Sequence, residues 1–129
     1  MVRYERKPNL DNAQLNELSA ASWNTPSDSD FNEVLNRSLG YIGAFDSERL
    51  VGFVNIAWDG NEHAFLLDTM VRPDYRRQGI GSELVRQAIS LCREAGITWL
   101  HVDFEPHLSA FYLTECGFRP SAAGVMKLR

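Results

Sequence analysis

The most specific chemistry in the chain lies in thirteen consecutive residues, Met70-Val71-Arg72-Pro73-Asp74-Tyr75-Arg76-Arg77-Gln78-Gly79-Ile80-Gly81-Ser82. An apolar, strand-like run ends at Val71, a basic loop with two glycines follows, and an amphipathic helix begins near Ser82. The first four N–H groups of a helix have no partner inside it and carry partial positive charge. Such an end receives phosphate oxygens, and glycine lets the backbone approach them. Arg76 and Arg77 add charge and paired donors, and Ser82 adds a hydroxyl. The spacing suits a pyrophosphate. It is not the nucleotide P-loop, because no Lys-Ser/Thr pair follows the second glycine at the required distance. It is not the dinucleotide fingerprint either, because Leu84 stands where a third glycine would be. The bland alternative is a plain strand-to-helix loop.

Other polar groups stand at unusual places. Asp68 interrupts an apolar strand three residues before Val71. A carboxylate there needs a partner or a raised pKa. His101 and Asp103 share one face of a later strand by alternation, with Glu105 just past it. Each also reads as a structural hydrogen-bonding residue. No His, Cys and Asp grouping has metal-ligand spacing, so no metal is implied.

The elements that position these groups follow from periodicity. A strand over Val2 to Lys7 stops at Pro8. A helix from about Asp11 to Ala21 carries Leu15 and Leu18 on one face, with Asn9 or Asp11 as its cap. A second helix to about Ser38 carries Phe31, Val34 and Leu35, with Ser27 and Asp28 as caps. The period then changes. Strands over Tyr41–Phe45, Leu50–Trp58 and Ala64–Val71, joined by polar turns, form an antiparallel meander. Ser82 to Ala95 is the clearest helix, with Gly96 after its end. A strand over Ile97–Phe104, a short helix over His107–Glu115, and two strands at Phe118–Pro120 and Gly124–Leu128 complete the chain. The order β-α-α-β-β-β-α-β-α-β-β predicts an α/β fold with helices packed on a mixed sheet.

Length and composition frame this reading. The chain has 129 residues, 44% of them hydrophobic and 23% charged, so one globular domain over 1–129 is expected rather than disorder. No apolar run reaches the roughly 18 residues of a membrane span. The start, Met1-Val2-Arg3-Tyr4-Glu5, lacks the apolar stretch of a secretory signal, so a cytoplasmic protein is expected. Cys92 and Cys116 lack zinc or redox spacing and read as reduced, packed thiols. The net charge of −4 argues against bulk nucleic-acid binding. Residues 1–62 hold five Lys/Arg against ten Asp/Glu, and residues 63–129 hold eight against seven. That split permits an anionic ligand on the second half and a cationic one near the first.

The segment Arg76-Arg77-Gln78-Gly79-Ile80-Gly81 resembles the Gln/Arg-x-x-Gly-x-Gly/Ala signature of the GNAT N-acetyltransferases, which bind acetyl-CoA. Val71-Arg72-Pro73-Asp74-Tyr75 is similar to the approach to that signature, and Cys116-Gly117-Phe118 to the family's C-terminal Leu-Gly-Phe. The element order matches the family fold over essentially the whole chain. The resemblance implies a mostly antiparallel sheet splayed between its fourth and fifth strands, with acetyl-CoA in the gap. Backbone groups of Met70 and Val71 would bond the pantetheine arm. The amides of Arg76, Arg77, Gln78, Gly79, Ile80, Gly81 and Ser82 would hold the pyrophosphate. The first two helices would shape the acceptor pocket, where Asp28, Asp30, Glu33, Asp59 and Glu62 favour a cationic amine.

The resemblance also implies roles in catalysis. The family uses a Tyr as proton donor four residues before the Gly of Leu-Gly-Phe. Leu113 stands there in this chain, and Tyr112 lies one residue earlier. One residue is a rotation of about 100° on an α-helix, which a one-residue helical bulge restores. Tyr112 is therefore expected as the acid, with Asp68 as first candidate for the base and His101 as a second. The acceptor is a small-molecule or protein primary amine, and a homodimer fits the family. The alternative is a catalytically weak GNAT-like module that binds acyl-CoA as a sensor, favoured by the Tyr112 offset.

Overall fold

The computed structural model describes residues 1–129. Five strands form one sheet in the order β1 (Val2–Arg6), β2 (Gly40–Asp46), β3 (Arg49–Trp58), β4 (His63–Val71) and β5 (Trp99–His101). The first four run antiparallel to their neighbours, and β5 runs parallel to β4. Helix α1 (Asn12–Trp23) and α2 (Phe31–Arg37) lie between β1 and β2, and α3 (Ile80–Glu94) between β4 and β5.

The caps explain where the helices begin. Asp11 accepts from the Gln14 amide while the Gln14 side chain accepts from the Asp11 amide, a reciprocal capping box. Asp30, rather than Ser27 or Asp28, caps α2. Ser27 is instead engaged by Asn16, whose side chain also holds the Ser29 amide and carbonyl. These bonds occupy the linker and delay the helix to Phe31.

The two faces of the sheet carry separate cores. On one, Ile42, Val54, Ile56, Ala64 and Leu66 pack against Ile80, Leu84, Val85 and Ala88 of α3, and against Tyr112. On the other, Phe45, Leu50, Phe53 and Met70 pack against Leu15, Leu18 and Phe31. Alternation along β3 and β4 supplies both, because successive side chains point to opposite faces.

Pairing of β4 with β5 is confined to His63–Phe65 against Trp99–His101. The strand expected over Ile97–Phe104 is thus paired for only three residues. The reason lies in β4. Its register against β3 shifts between Phe53 and Asn55, so one extra residue enters β4 near Asp68, whose φ is +55°. Such a bulge bends a strand and raises its twist. Beyond Leu66, β4 therefore leaves β5, and the sheet splays where the sequence resemblance implies.

The short helix expected over His107–Glu115 is a 3-10 turn at Pro106–Leu108 followed by a π-helical turn over Ala110–Glu115. The two final strands do not form. Residues 119–129 are exposed and make no backbone hydrogen bond outside regular elements, and the Phe118 amide donates to the Tyr112 carbonyl at 3.0 Å. Pro120 removes a ladder donor, and Ser121-Ala122-Ala123-Gly124 offers little side chain to bury.

Candidate active site

The loop before α3 has the form its sequence suggests. A 3-10 turn at Pro73–Tyr75 carries the chain from β4 toward Gly79, which caps α3 with φ +79° and ψ 9°. That left-handed conformation admits glycine without strain. The helix starts at Ile80, two residues before the expected Ser82, because the first intrahelical bond runs from the Glu83 amide to the Gly79 carbonyl. No side chain caps this end, and no turn or loop bond uses the amides of Arg77, Gln78 or Gly79. The amides of Ile80, Gly81 and Ser82 precede the helical ladder. The result is a run of donors without protein partners, which is what an anion needs.

The side chains of this loop divide. Ile80 is in the core, so only its amide is available. Arg77 and Gln78 are exposed and make no side-chain hydrogen bond. The Arg76 guanidinium donates to the Val71 carbonyl at 3.2 Å and the Ser22 carbonyl at 2.8 Å. It ties the loop to the end of α1. Arg72 is held by Glu17 at 3.0 Å and is only 12% exposed. Gly81 sits under Phe111, whose ring carbons lie 3.3 and 3.4 Å from where a Cβ would stand. The absence of that Cβ lets the π turn close against the start of α3.

Met70 and Val71 lie on the part of β4 that β5 leaves unpaired. The Met70 side chain belongs to the core beneath α1, so its backbone alone faces the gap. The Val71 carbonyl already accepts from Arg76 and, at 3.4 Å, from the Ser22 hydroxyl.

Across the gap stands Tyr112. The Cys116 amide donates to the Phe111 carbonyl five residues back, the signature of the π turn. A widened turn of this kind is the helical bulge expected beside Tyr112 and Leu113. Tyr112 is 6% exposed, stacked on Phe104 with centroids 4.9 Å apart, and met edge-on by Phe111 and Phe118. Burial raises the pKa of its phenol, with the Thr69 hydroxyl of β4 acting in the opposite direction and the charges of Cys116 and Asp103 adding to the rise. The phenol therefore keeps its proton, as a donor must. Thr69 escaped the sequence reading; only the bulge turns it toward Tyr112.

Asp68 occupies the bulge itself. Its carboxylate accepts no hydrogen bond and remains open to solvent, yet the surrounding protein removes enough water to raise its pKa. The left-handed backbone there suits Asp and Asn better than other non-glycine residues. His101 is placed elsewhere. It sits opposite Phe65 in the β4–β5 ladder, at the closed end of the splay. Its Nε2 lies 2.9 Å from His63 Nδ1, and its ring stacks on Phe65 with centroids 4.6 Å apart. Asp68 is three residues further along β4, on the order of 10 Å. Asp68 and Tyr112 thus flank the gap, while His101 marks its inner end. No group of three or more His, Cys, Asp or Glu residues comes together.

Comparison with known proteins follows the same outline. The profile of the acetyltransferase (GNAT) family matches residues 9–118. An uncharacterized N-acetyltransferase of Porphyra purpurea is 33% identical over 79 residues, which is 61% of this chain and 45% of that protein. The chain thus spans less than half the length of that curated relative. A GNAT-family acetyltransferase from Streptococcus pneumoniae superposes with a TM-score of 0.81 at 25% identity, covering 100% of this chain and 98% of the other. An aminoglycoside N-acetyltransferase solved in complex with CoA has a TM-score of 0.74 at 16% identity over 100% of this chain and 95% of its own.

Proposed function

We propose that this chain, which belongs to the acetyltransferase (GNAT) family, transfers an acetyl group from acetyl-CoA to a primary amine by direct attack. The observation that carries this reading is the junction of β4 and α3. An unpaired β4 edge at Met70–Val71 leads directly into a loop of partnerless amides from Arg77 to Ser82. An extended thiol arm and a pyrophosphate need those two surfaces in that order. The Gly79 cap and the Cβ-free Gly81 leave the loop backbone accessible. Arg77 supplies a free cation beside it.

The acetyl-CoA thioester supplies an activated acyl carbon. The residues of this chain manage protons around it. A primary amine with pKa near 10.4 is mostly charged at neutral pH, and freeing its lone pair costs about 4–5 kcal/mol. Asp68, directly or through water, takes the proton from the ammonium. The amine nitrogen then forms its bond to the acyl carbon and sheds its second proton to water, the bond to sulfur breaks, and the Tyr112 phenol gives its proton to the departing sulfur. Solvent returns a proton to Tyr112 and takes one from Asp68. No covalent enzyme intermediate is required, and both cysteines stay outside the sequence of events.

The binding-only alternative drew its support from the one-residue offset of Tyr112. The π turn accounts for that offset, which favours turnover over a sensor role. Calorimetric titration with acetyl-CoA tests the reading, followed by release of free CoA thiol in a panel of amines. Saturable binding and amine-dependent thiol release are expected. Absence of binding overturns the proposal, and binding without turnover by any amine restores the sensor.

A further inference from the structure

Resting on the acetyl-transfer reading, we infer that the acceptor is a primary amine carried on a short chain that ends in an aromatic or branched apolar group, rather than an amino sugar or a polyamine. The face of the sheet that carries α1 and α2 decides this. Cross-strand partners share a face, so Phe53 with Met70, Asn55 with Leu67, and Phe65 with Ala57 and His101 all lie on it. The helices cover the first of these pairs, which is fully in the core. Asn55 is closed over by Ser38 at the end of α2, but Leu67, Phe65 and His101 are left uncovered. Leu67 is 42% exposed and Phe65 39%, although Phe65 is paired in the sheet on both sides and Leu67 stands just past the end of the β5 pairing.

This uncovered strip ends at Asp68 and the opening of the splay. Leu67 is adjacent to Asp68, and the Phe65–His101 platform lies about 7–10 Å back along the strand. His63 holds the His101 ring through the 2.9 Å bond, within 21° of parallel to Phe65. The platform is therefore fixed before any ligand arrives, which lowers the cost of binding. Trp99, further along the same face and itself 49% exposed, carries the Arg119 guanidinium 5.5 Å from its ring. The apolar strip is thus bounded by Asp68 at one end and a cation at the other.

Charge and polarity fit one class of occupant. Asp68, which accepts no hydrogen bond, and the exposed Asp103 favour a cationic head at the splay. Beyond the second ring nitrogens of His63 and His101, the strip offers a polyol no free polar side chain. The Asn55 amide is 1% exposed and receives the Ser38 hydroxyl at 2.5 Å, and Thr69 faces Tyr112. Sugar hydroxyls laid on Leu67 and Phe65 would lose water without gaining partners. A polyamine would bring further charges onto the same apolar surface. A ring or branched chain would cover it.

The test compares phenethylamine, tryptamine and isoamylamine with glucosamine, kanamycin and spermidine as acceptors, using release of CoA thiol. The first group should exceed the second at least tenfold in kcat/KM. Leu67→Gln and Phe65→Ser, both at exposed positions, should raise KM for phenethylamine at least fivefold while leaving acetyl-CoA affinity unchanged. Preference for glucosamine, kanamycin or spermidine overturns the inference, as does a KM indifferent to both variants. Binding of phenethylamine and glucosamine is also followed by chemical shifts of the His63 and His101 rings in the presence of CoA. If acetyl-CoA binds and no amine turns over, transfer fails as a function, and these shifts decide the apolar strip separately. Movement with phenethylamine alone supports it, and movement with neither overturns it.

Discussion

The two sides of the splayed sheet solve opposite recognition problems. On the α3 side, the surface proposed for acetyl-CoA is made of backbone: partnerless amides around Gly79 and an unpaired strand edge at Met70–Val71. On the α1–α2 side, the surface inferred for the acceptor is made of side chains whose exposure depends on where the helices stop: Leu67, Phe65 and His101 beside Asp68. Backbone recognition tolerates almost any side chain that keeps the turn. Side-chain recognition changes with a single substitution. The first surface therefore suits an invariant partner, and the second a selectable one.

The largest expected effect tests the backbone side. Gly81→Asp puts a carboxylate beside the amides that await phosphate and pushes a Cβ against the Phe111 ring 3.3 Å away. Acetyl-CoA binding should fall by more than about 100-fold, or roughly 2.7 kcal/mol, in calorimetry. Arg77→Asn separates charge from shape, since Asn tolerates the positive φ of 64° at that exposed position. It should weaken acetyl-CoA several-fold at low salt without changing the melting temperature. Unchanged affinity in both variants would remove the loop from the cofactor site.

The next effect lies in the gap between the sides. Tyr112→Phe keeps the stack on Phe104 and removes only the hydroxyl. Its kcat should drop about 100-fold, the scale of a lost proton donor, with acetyl-CoA affinity retained. Wild-type kcat would return Tyr112 to a packing role.

Asp68→Asn sharpens the comparison because it moves activity and stability in opposite directions. Burial raises the folded carboxyl pKa above its unfolded value, so this group favours folding at low pH and penalises it as pH rises. At neutral pH the ionised carboxylate costs stability. Asn removes that cost and still fits φ +55°. Denaturant melts should show the variant more stable than wild type near about pH 7, with the gap closing in acid. Its kcat/KM should fall about tenfold or more at neutral pH. A variant with unaltered pH–rate profile would exclude Asp68 as the base.

The smallest effect concerns a residue remote from both surfaces. Burial pushes the Cys92 thiol up from 9.0 to about 11. A raised folded pKa contributes stability that is lost as pH climbs through that interval. Cys92→Ala should flatten the alkaline decline of stability between 9 and about 11, and native Cys92 should resist thiol reagents near neutral pH.

Different parts of this arrangement were legible to different degrees in the residues alone. The α3 core face, the meander and the glycine loop are local patterns: Leu84, Val85, Ala88 and Cys92 recur at helical spacing, and Gly79 marks a turn with its own geometry. The cap of α2 was misread because Ser27 and Asp28 are as good caps as Asp30, and the choice is made by Asn16, eleven residues before Ser27. The bonds of Arg76 to the carbonyls of Ser22 and Val71 were not legible in sequence because those partners come from α1 and the end of β4. The final strands failed because alternating apolar residues such as Met126 and Leu128 form a strand only with something to pair against.

Sequence by itself determined the helix and strand periods, the left-handed glycine before α3, and the placement of charge, because these depend on a few adjacent residues. Tertiary structure decided what the site can reach. The bulge at Asp68 needs β3 as its ruler, the π turn under Tyr112 needs Gly81 to make room for Phe111, and the bare strip at Leu67 and Phe65 exists only because α1 and α2 stop short of it. Each is a relation between segments distant in the chain, settled by packing rather than by local preference.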